Sequence, residues 1–412
     1  MANSVKTVSM IAKESLRVLE NNLVVAKLVH RGYAEEYQKN PNGYKTGATI
    51  TIKRPTDFTV RDGATASIQD VSEGSTTLVV NKQKGIDFQF TSQELALEMN
   101  ELSERVIRPA MIQLANQVDR DIMSEYYRVP NWTGTPGQVI NSFADFSKAP
   151  ERMDELAVPV ERSAVLSPAD NWGMIGSQTG LYIQGAANSA YRNGSLGEVG
   201  GVDTYMAQNV PTHTVGVATG SPVVSGGSQE TTWALSKDSY SQSLVTSGWT
   251  NSTTGILKAG DVFTIANVYA VNPVTKATLP FLRQFTVLAD ANSGATTGPA
   301  TLTISPPIIV SGAQQTVNSS PAASAPITVL GTGGTGYRQN LFFHKNAFAL
   351  ATVPMEAPEG AVNVSRQSYK GINVRLIPYY DGANDISKWR LDLLYGVKCI
   401  DPRLAVRASG TA

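Results

Sequence analysis

The chain has 412 residues, of which 42% are hydrophobic and 17% are charged, so it is long enough for two or three domains and apolar enough to fill their cores. It carries 34 basic and 34 acidic side chains, and this balance excludes a protein drawn as a whole onto nucleic acid or an acidic membrane. A single cysteine excludes an internal disulfide, and the lack of a signal-peptide pattern or of a run of ~20 apolar residues leads us to expect a soluble protein made inside the cell.

The N-terminal residues 4–31 carry apolar side chains in a loose helical pattern that is broken near Asn21 and Asn22. The pattern leaves two alternatives open. One is a terminal helix packed on its own domain, and the other is an arm that lies on a neighbouring subunit.

Between Tyr44 and Phe90 the hydrophobic period changes to two. The alternating runs are Thr49–Lys53, Thr77–Asn81 and Asp87–Phe90. The residues between the first two runs are polar and rich in turn-forming residues, so the pattern predicts a long projecting β-ribbon. Because a two-stranded ribbon is only marginally stable in water, we expect it to rest on something else, for which another copy of the chain is one candidate.

The stretch Glu101–Arg128 has the i, i+4 apolar stripe of an amphipathic helix, which we call the spine helix. Thr91 and Glu94 form a capping box that predicts the change from strand to helix just before it. A helix of this extent would be roughly 40 Å long, so other parts of the chain are expected to pack along it. Pro109 lies inside the pattern and predicts either a kink or the start of the second half of the helix.

After the spine helix, the pattern predicts a short helix over Phe143–Leu156 and a buried strand over Ser163–Pro168. Residues 176–212 are rich in Gly and Asn, which favours an ordered loop or sheet edge over a hydrophobic core. Near the C-terminus, alternation over Gly371–Tyr379 and Trp389–Val397 predicts two strands of a sheet that closes the α+β part.

A module of different composition begins near His213, because residues 213–335 contain only eight charged side chains. Short alternating runs recur there between Gly, Ser and Asn turns, and regularly spaced short strands predict an all-β barrel or sandwich. The runs are Thr232–Leu235, Asp261–Ile265, Val268–Val271, Gln284–Leu288, Thr301–Ile304 and Ile327–Val329.

Few residues offer a chemical function. Gly331–Gly336 matches G-x-G-x-x-G, but a dinucleotide site needs a helix to follow inside a βαβ unit, so a flexible exit from the β module is favoured. The three histidines, His30, His213 and His344, lack zinc-ligand spacing. A Ser–His–Asp triad stays open, because its members need only be close in space. Cys399 is interpreted as a buried small side chain.

Four stretches of the chain carry a family resemblance: residues 46–55, Arg108–Ala110 with Leu114–Asp119, Gly200–Thr214, and Gly260–Val268. With the order of the predicted elements, they are similar to the major capsid (coat) proteins of tailed bacteriophages, in the short-tailed-phage branch whose shell fold carries an extra β domain. The resemblance covers nearly the whole chain.

The resemblance implies an α+β tailed-phage capsid fold with a long spine helix, an extended β-ribbon loop, peripheral and axial domains, and an inserted all-β barrel. The implied divisions are an N-terminal arm 1–40, a β-ribbon loop 41–90, the spine helix of the peripheral domain 91–136, an axial domain 137–212 and 337–375, an inserted barrel 213–336, and closing strands of the peripheral domain 376–412.

The function that the resemblance implies is structural: a protein, not an enzyme, that self-assembles into the icosahedral shell enclosing phage double-stranded DNA. Its implied partners are further copies of itself in hexamers and pentamers, a scaffolding protein, a portal, and DNA held without sequence-specific binding, with no membrane. It would be made in the bacterial host cytoplasm and would end in the virion. No catalytic, cofactor or metal site is expected.

The ribbon would lie across the adjacent subunit, so the candidate subunit-contact residues are Ile50, Ile52, Arg54, Arg61, Asp62, Val80 and Lys82. We expect an acidic residue in place of Ile50 or Val80 to spare folding of the monomer and to block assembly.

Two alternative functions stay open. A β-rich adhesin or carbohydrate-binding surface module is motivated by the Ser/Thr-rich β domain and by Trp172, Trp233 and Trp249, although core packing is the commoner role of such residues. A signal peptide or disulfides would favour that alternative. An enzyme built on the glycine-rich loop would require measurable nucleotide binding.

Overall fold

The computed structural model describes residues 8–33, 47–61, 63–66, 68–69, 71–91, 106–178, 194–360 and 363–411. Contacts divide the chain into two compact units, each built from three segments. The first unit comprises Met1–Thr51, Thr77–Ile122 and Phe348–Lys398. The second unit comprises Ile52–Thr76, Met123–Ala347 and Cys399–Ala412.

The N-terminal segment folds as two helices, α1 (Val8–Asn22) and α2 (Val25–Leu28), with the break where the sequence predicts it. The apolar face of α1 is buried, and the helix packs on β18 (Ser365–Tyr369) and β19 (Ile372–Asp381) of the same unit. The described residues 8–33 therefore pack on their own domain, as in the first of the two alternatives.

The spine helix, α3, runs from Arg108 to Met123 and continues as a 3-10 turn over Ser124–Arg128. The predicted start at Glu101 and the capping-box residue Glu94 lie outside the described residues. The 16 α-helical residues that the structure describes span roughly 24 Å. Pro109 is the second α-helical residue of α3 and follows directly on Val106 and Ile107, which are π-helical. The regular hydrogen bonding of the helix is therefore interrupted at Pro109, as the sequence predicts.

Asp119 of α3 holds the start of α2. Its two carboxylate oxygens accept hydrogen bonds from the backbone N–H groups of Val24 and Ala26, each at 2.8 Å. These are donors that a helix leaves without intrahelical partners at its N-terminus. Burial raises the pKa of Asp119, and the backbone donors oppose that rise. The buried carboxylate thus serves as a cap supplied by another helix.

The sheet of the first unit is organised around β20 (Ile386–Cys399). β19 pairs with β20 antiparallel, which confirms the two predicted C-terminal strands. β3 (Lys82–Thr91) also pairs with β20 antiparallel, from Thr91 opposite Ile386 to Lys82 opposite Tyr395. β17 (Phe348–Val353) and β18 complete the order β17-β20-β19-β18.

The ribbon is a two-stranded hairpin of β1 (Thr49–Lys53) and β2 (Ser75–Val79). The prediction that Asp87–Phe90 belongs to the ribbon is wrong, because these residues lie in β3 and pair with β20 along their whole length. A period of two shows that a strand has two different faces, but it does not show which strand is the partner.

The second unit contains a six-stranded mixed sheet with the order β4-β21-β16-β5-β7-β6. Its strands are β4 (Trp132–Thr133), β5 (Arg162–Leu166), β6 (Gly197–Val199), β7 (Val202–Met206), β16 (Asn340–His344) and β21 (Ala405–Ala408). Helices α4 (Phe143–Glu155) and α5 (Pro168–Gln178) supply side chains to its core, including Phe146 against Phe342. The predicted helix and strand after the spine are confirmed, and the Gly-rich segment forms a sheet edge over residues 197–206.

The inserted module is a closed β-barrel. Its strands, in the order β14-β11-β12-β13-β10-β9, are β9 (Gly220–Val224), β10 (Gln242–Trp249), β11 (Val262–Val271), β12 (Thr278–Val287), β13 (Ala300–Ser305) and β14 (Ile327–Val329). The sheet closes where Val223 bridges Pro326 and the N–H of Val224 donates to the carbonyl of Ala325 at 3.0 Å. Of the two predicted all-β forms, the barrel is the one observed.

Two strand predictions inside the barrel are corrected. Thr232–Leu235 is not a strand, because Trp233–Ser236 forms a short helix, α6. The two runs predicted over 261–265 and 268–271 belong to one strand, β11, whose register shifts around Asn267, a residue with a positive φ of 64°. An irregular residue of this kind interrupts the alternation without ending the strand.

The C-terminal third is divided differently from the prediction. Residues 348–375, assigned to the axial domain, lie in the first unit with the spine helix, because β17 and β18 join the β19–β20 sheet. Residues 399–412, assigned to the peripheral domain, lie in the second unit, because β21 pairs with β16. Residues 123–136 also belong to the second unit.

Replacing Asp119 with Ala should lower the free energy of unfolding by about 2 kcal/mol, because two backbone donors of the α2 start lose their acceptor. Equilibrium denaturation of the monomeric subunit measures this change. The control is Gln113→Ala, an exposed position on the same helix. Equal stabilities of the two variants would contradict the capping role.

Candidate functional site

The apolar face of the ribbon hairpin is buried within the chain itself. Ile50, Ile52 and Val80 are each at most 9% exposed. In the first unit, Gly396 of β20 approaches the hairpin so closely that a Cβ there would lie 2.3 Å from the carbonyl oxygen of Val79. The base of the ribbon thus rests on its own chain. This burial removes the basis for expecting an acid at position 50 or 80 to spare folding, because a buried carboxylate without a partner destabilises the monomer.

The other predicted contact residues fall in different environments. Arg54 is buried, and its Nε donates to the carbonyl of Ile400 at 3.0 Å. Arg61 is exposed, and its guanidinium bonds within its own loop. Lys82 lies on β3, where its Nζ is 3.4 Å from a carboxylate of α3. Asp62 lies outside the described residues. Four of the seven predicted residues are therefore buried within the chain: Ile50, Ile52, Arg54 and Val80.

Exposed apolar residues do occur beyond the hairpin, in residues 54–74, which we call the ribbon loop. Val60 is 98% exposed and Ile68 is 94% exposed. Phe58 and Val71 are exposed over more than half of their surface. The polar, turn-rich composition of this loop predicts no apolar contact surface, and these four residues are not among the predicted contact residues. Four large apolar side chains within a polar, turn-rich segment are the signal that was available.

The ribbon loop is held in place by polar contacts inside the second unit. The indole Nε1 of Trp233, on α6, donates to the carbonyl of Ser72 at 2.9 Å. The guanidinium of Arg403 bonds to the carboxylate of Asp57 at 2.9 Å. The loop also bonds across itself, where the Gln69 amide and the Thr59 backbone exchange hydrogen bonds. The exposed side chains are therefore presented on an anchored backbone.

A histidine–aspartate pair resembling part of a catalytic triad is buried at the base of the barrel. His213 Nε2 lies 2.7 Å from Asp261 Oδ1, and its Nδ1 lies 2.9 Å from the hydroxyl of Tyr126. The second oxygen of Asp261 accepts hydrogen bonds from the backbone N–H groups of Gly216 and Lys258. Within the described part of the chain, both ring nitrogens of His213 contact non-serine partners, so His213 does not form the serine triad left open above.

Arg407 is fully buried beside this pair and has an acceptor for each of its guanidinium nitrogens. Its acceptors are the carbonyls of Val129 and Gly260, the amide oxygen of Gln339 and the hydroxyl of Thr286, at 2.7–3.2 Å. Burial lowers the pKa of Arg407 to about 10. These contacts join β21, the barrel strand β12 and the segment after the spine helix. We call Tyr126, His213, Asp261 and Arg407 the buried junction.

The glycine-rich segment is not a nucleotide-binding turn. Gly336 begins β15 (Gly336–Arg338), which pairs with β8 (Thr212–Thr214), so a strand and not a helix follows the motif. The turn is also packed, because a Cβ at Gly333 would lie 2.2 Å from the carbonyl oxygen of Val217. It is a close-packed exit from the barrel, which corrects the expectation of a flexible one.

The remaining candidates do not converge on one site. Trp249 lies in the barrel core, Trp172 is exposed on α5, and Trp233 anchors the ribbon loop. Cys399 is buried, and burial raises the pKa of its thiol. Among the described residues, no group of three or more His, Cys, Asp or Glu side chains is placed to hold a metal ion. Nor is any helix of those residues long and apolar enough to cross a membrane.

A protein-family model described as "P22 coat protein - gene protein 5" matches residues 1–410. The chain belongs to this family of phage coat proteins. It is therefore a major capsid protein, a structural subunit of the phage capsid shell. The major capsid protein of Acyrthosiphon pisum secondary endosymbiont phage 1 is similar to it, with 24% identity over 98% of both chains.

Solved structures also resemble this coat protein. One, from Mycobacterium phage Che8, is 14% identical, covers 93% of this chain and 90% of that chain, and has a TM-score of 0.47. The CUS-3 coat protein I-domain is 31% identical over 27% of this chain and 96% of its own, with a TM-score of 0.19. Family membership and the observed architecture give the α+β capsid fold of tailed phages, with an inserted β-barrel.

Replacing Arg407 with Met should lower the free energy of unfolding by roughly 3–5 kcal/mol, because several buried acceptors lose their donor at once. Thermal and denaturant unfolding of the monomeric subunit measure the loss. The matched control is Arg338→Met, at an exposed position of β15. Equal losses of stability in the two variants would show that the hydrogen bonds of Arg407 do not stabilise the junction between β21, β12 and the segment after the spine helix.

Proposed function

We propose that this coat protein closes an icosahedral shell of hexamers and pentamers around double-stranded DNA, and that the ribbon loop is its contact with the adjacent copy. The observation that carries the proposal is the exposure of Phe58, Val60, Ile68 and Val71 on an anchored loop. Large apolar side chains that a monomer leaves in water mark a surface that another molecule covers.

The energy available from such a contact is adequate for assembly. Full burial of one such side chain contributes about 1.5–3 kcal/mol, so four of them supply several kcal/mol even when burial is partial. A heterologous contact, in which the loop of one copy lies on a different surface of the next, generates a closed ring when the rotation closes. The same contact repeated between rings extends the shell.

The parts of the subunit take their roles from this arrangement. In the proposal, the sheet bearing α4 and α5 belongs to the axial domain at capsomer centres, and the unit with the spine helix belongs to the peripheral domain. The barrel projects from the shell. A net charge of zero suits a container that holds its DNA without sequence-specific binding. A scaffolding protein and a portal complete the assembly, which takes place in the host cytoplasm.

The double variant Val60→Asp with Ile68→Asp should fold normally and fail to assemble. Both side chains are exposed in the monomer, so the charges cost little there, but they would be desolvated in a contact between copies. Thermal unfolding of the monomer measures the first effect. Sizing chromatography and negative-stain electron microscopy, with and without the scaffolding protein of its own phage, measure the second.

Ile52→Asp is the control, since it places the same charge at a buried position of the hairpin and should destabilise the monomer itself. Shells of normal size and yield from the double variant would contradict the proposed contact. Loss of monomer stability in the double variant would show instead that these side chains are needed for folding.

A further inference from the structure

A small cavity lined by several charged side chains lies in the second unit between the barrel and the ribbon loop. Its volume is about 30 Å³, which holds roughly two water-sized groups. The lining includes the side chains of Asp57, Tyr240, Lys276, Arg283, Gln314 and Arg403. Three of these side chains are cationic and one is acidic, so the cavity carries an excess of positive charge.

Arg283 is the unusual member of this lining. It is only 5% exposed, and it lies on β12 between Phe281 and Phe285 at alternate positions, where a strand directs side chains to one face. Among the described residues, Arg283 has neither a hydrogen bond nor an ion pair, and its Nε is buried without an acceptor. Burial lowers the pKa of Arg283. It is a buried cation without a counterion.

The other charges around the cavity are already matched. Arg403 bonds to the carboxylates of Asp57 and Asp401. Lys276 donates to two backbone carbonyls. Arg152, whose charge also acts on Arg283, pairs with Glu155 at 3.3 Å. Among the described residues, the ionisable groups that act on Arg283 are Tyr240, Arg152 and Arg403, and none of them is a carboxylate.

A second donor in the cavity also lacks an acceptor. The side-chain Nε2 of Gln314 is buried and has no hydrogen-bond partner in the part of the chain that the structure describes. Buried charges in proteins are paired, and buried donors are hydrogen-bonded, because leaving either unmatched costs folding free energy. Two unmatched donors that line one cavity indicate that an acceptor belongs between them.

We propose that this cavity binds one small monoanionic group, a carboxylate or a chloride-sized ion, held by Arg283 and Gln314. The two oxygens of a carboxylate match the room for about two water-sized groups, whereas a tetrahedral oxyanion would need more. The group can come from solution or from an acidic side chain of a second copy in the shell. In either case it neutralises the charge that the fold buries at Arg283.

The test begins with thermal unfolding of the full-length subunit in a buffer whose anions are bulky sulfonates. Acetate or chloride is then added at constant ionic strength. We expect a saturable rise in Tm for the wild type, the same rise for Arg338→Met, and none for Arg283→Met. Without small anions, Arg283→Met should be at least as stable as the wild type, because an apolar side chain replaces an unpaired buried charge.

Assembled shells distinguish the two sources of the anion. One outcome is that acetate and chloride leave the Tm of the free subunit unchanged, while shells of Arg283→Met have a lower Tm than shells of Arg338→Met. In that case a neighbouring copy supplies the carboxylate. Equal anion responses in wild type and Arg283→Met would overturn the proposal. So would the absence of any difference between these variants in both subunits and shells.

A structural readout keeps the proposal testable if Arg283→Met does not fold. Crystals of the wild-type subunit soaked in bromide should show an anomalous peak in the cavity beside Arg283, and Gln314→Leu should weaken it. Bromide peaks elsewhere, with none in the cavity and no Tm response, would contradict a site for a free anion. Assembly defects confined to the ribbon-loop variant would leave this site unaffected, so the two proposals fail independently.

Discussion

The second unit depends on one buried guanidinium. Arg407 comes from the last strand of the chain, yet it bonds to the segment after the spine helix, to the entrance of the barrel and to the barrel strand β12. A buried charge is tolerated only when its donors are matched, so these parts must keep their mutual positions for the unit to be stable. The pair His213 and Asp261 adds a second polar tie at the same place. A histidine, an aspartate and an arginine, residue types that are common in active sites, here join the inserted barrel to the six-stranded mixed sheet.

The ribbon combines a buried base with an exposed tip. The hairpin strands bury Ile50 and Ile52, whereas the loop between them leaves Val60 and Ile68 almost fully in water. Trp233 of the inserted module bonds to the backbone of the same loop. Within the second unit, the inserted module thus helps to position the apolar side chains that we propose as the contact between copies. For a shell subunit, this arrangement allows the monomer to be stable while the apolar side chains of the ribbon loop remain exposed for contact with another copy.

Much of the fold could be predicted from periodicity and composition. The helix Phe143–Glu155, the two long C-terminal strands and the low-charge barrel all followed from local patterns. Pairing and burial could not be predicted in the same way. The alternation of β3 is the same whether its partner lies in the ribbon or in β20. The short run Thr232–Leu235 has the pattern of a strand, but Trp233 belongs to a helical turn and its indole bonds to the ribbon loop. Nothing in the sequence around Arg283 or Arg407 indicates that these two arginines are buried.

In an assembled shell, we expect the ribbon loop of each subunit to be covered by an adjacent copy. A cryo-electron microscopy reconstruction of assembled wild-type shells tests it most directly, at a resolution that shows side chains. We expect Val60 and Ile68, which are almost fully exposed in the monomer, to be buried against a neighbouring subunit. Ile52 should keep its contacts within its own chain. A shell in which the loop remains in solvent, with the subunits joined through other surfaces, would contradict the proposed contact.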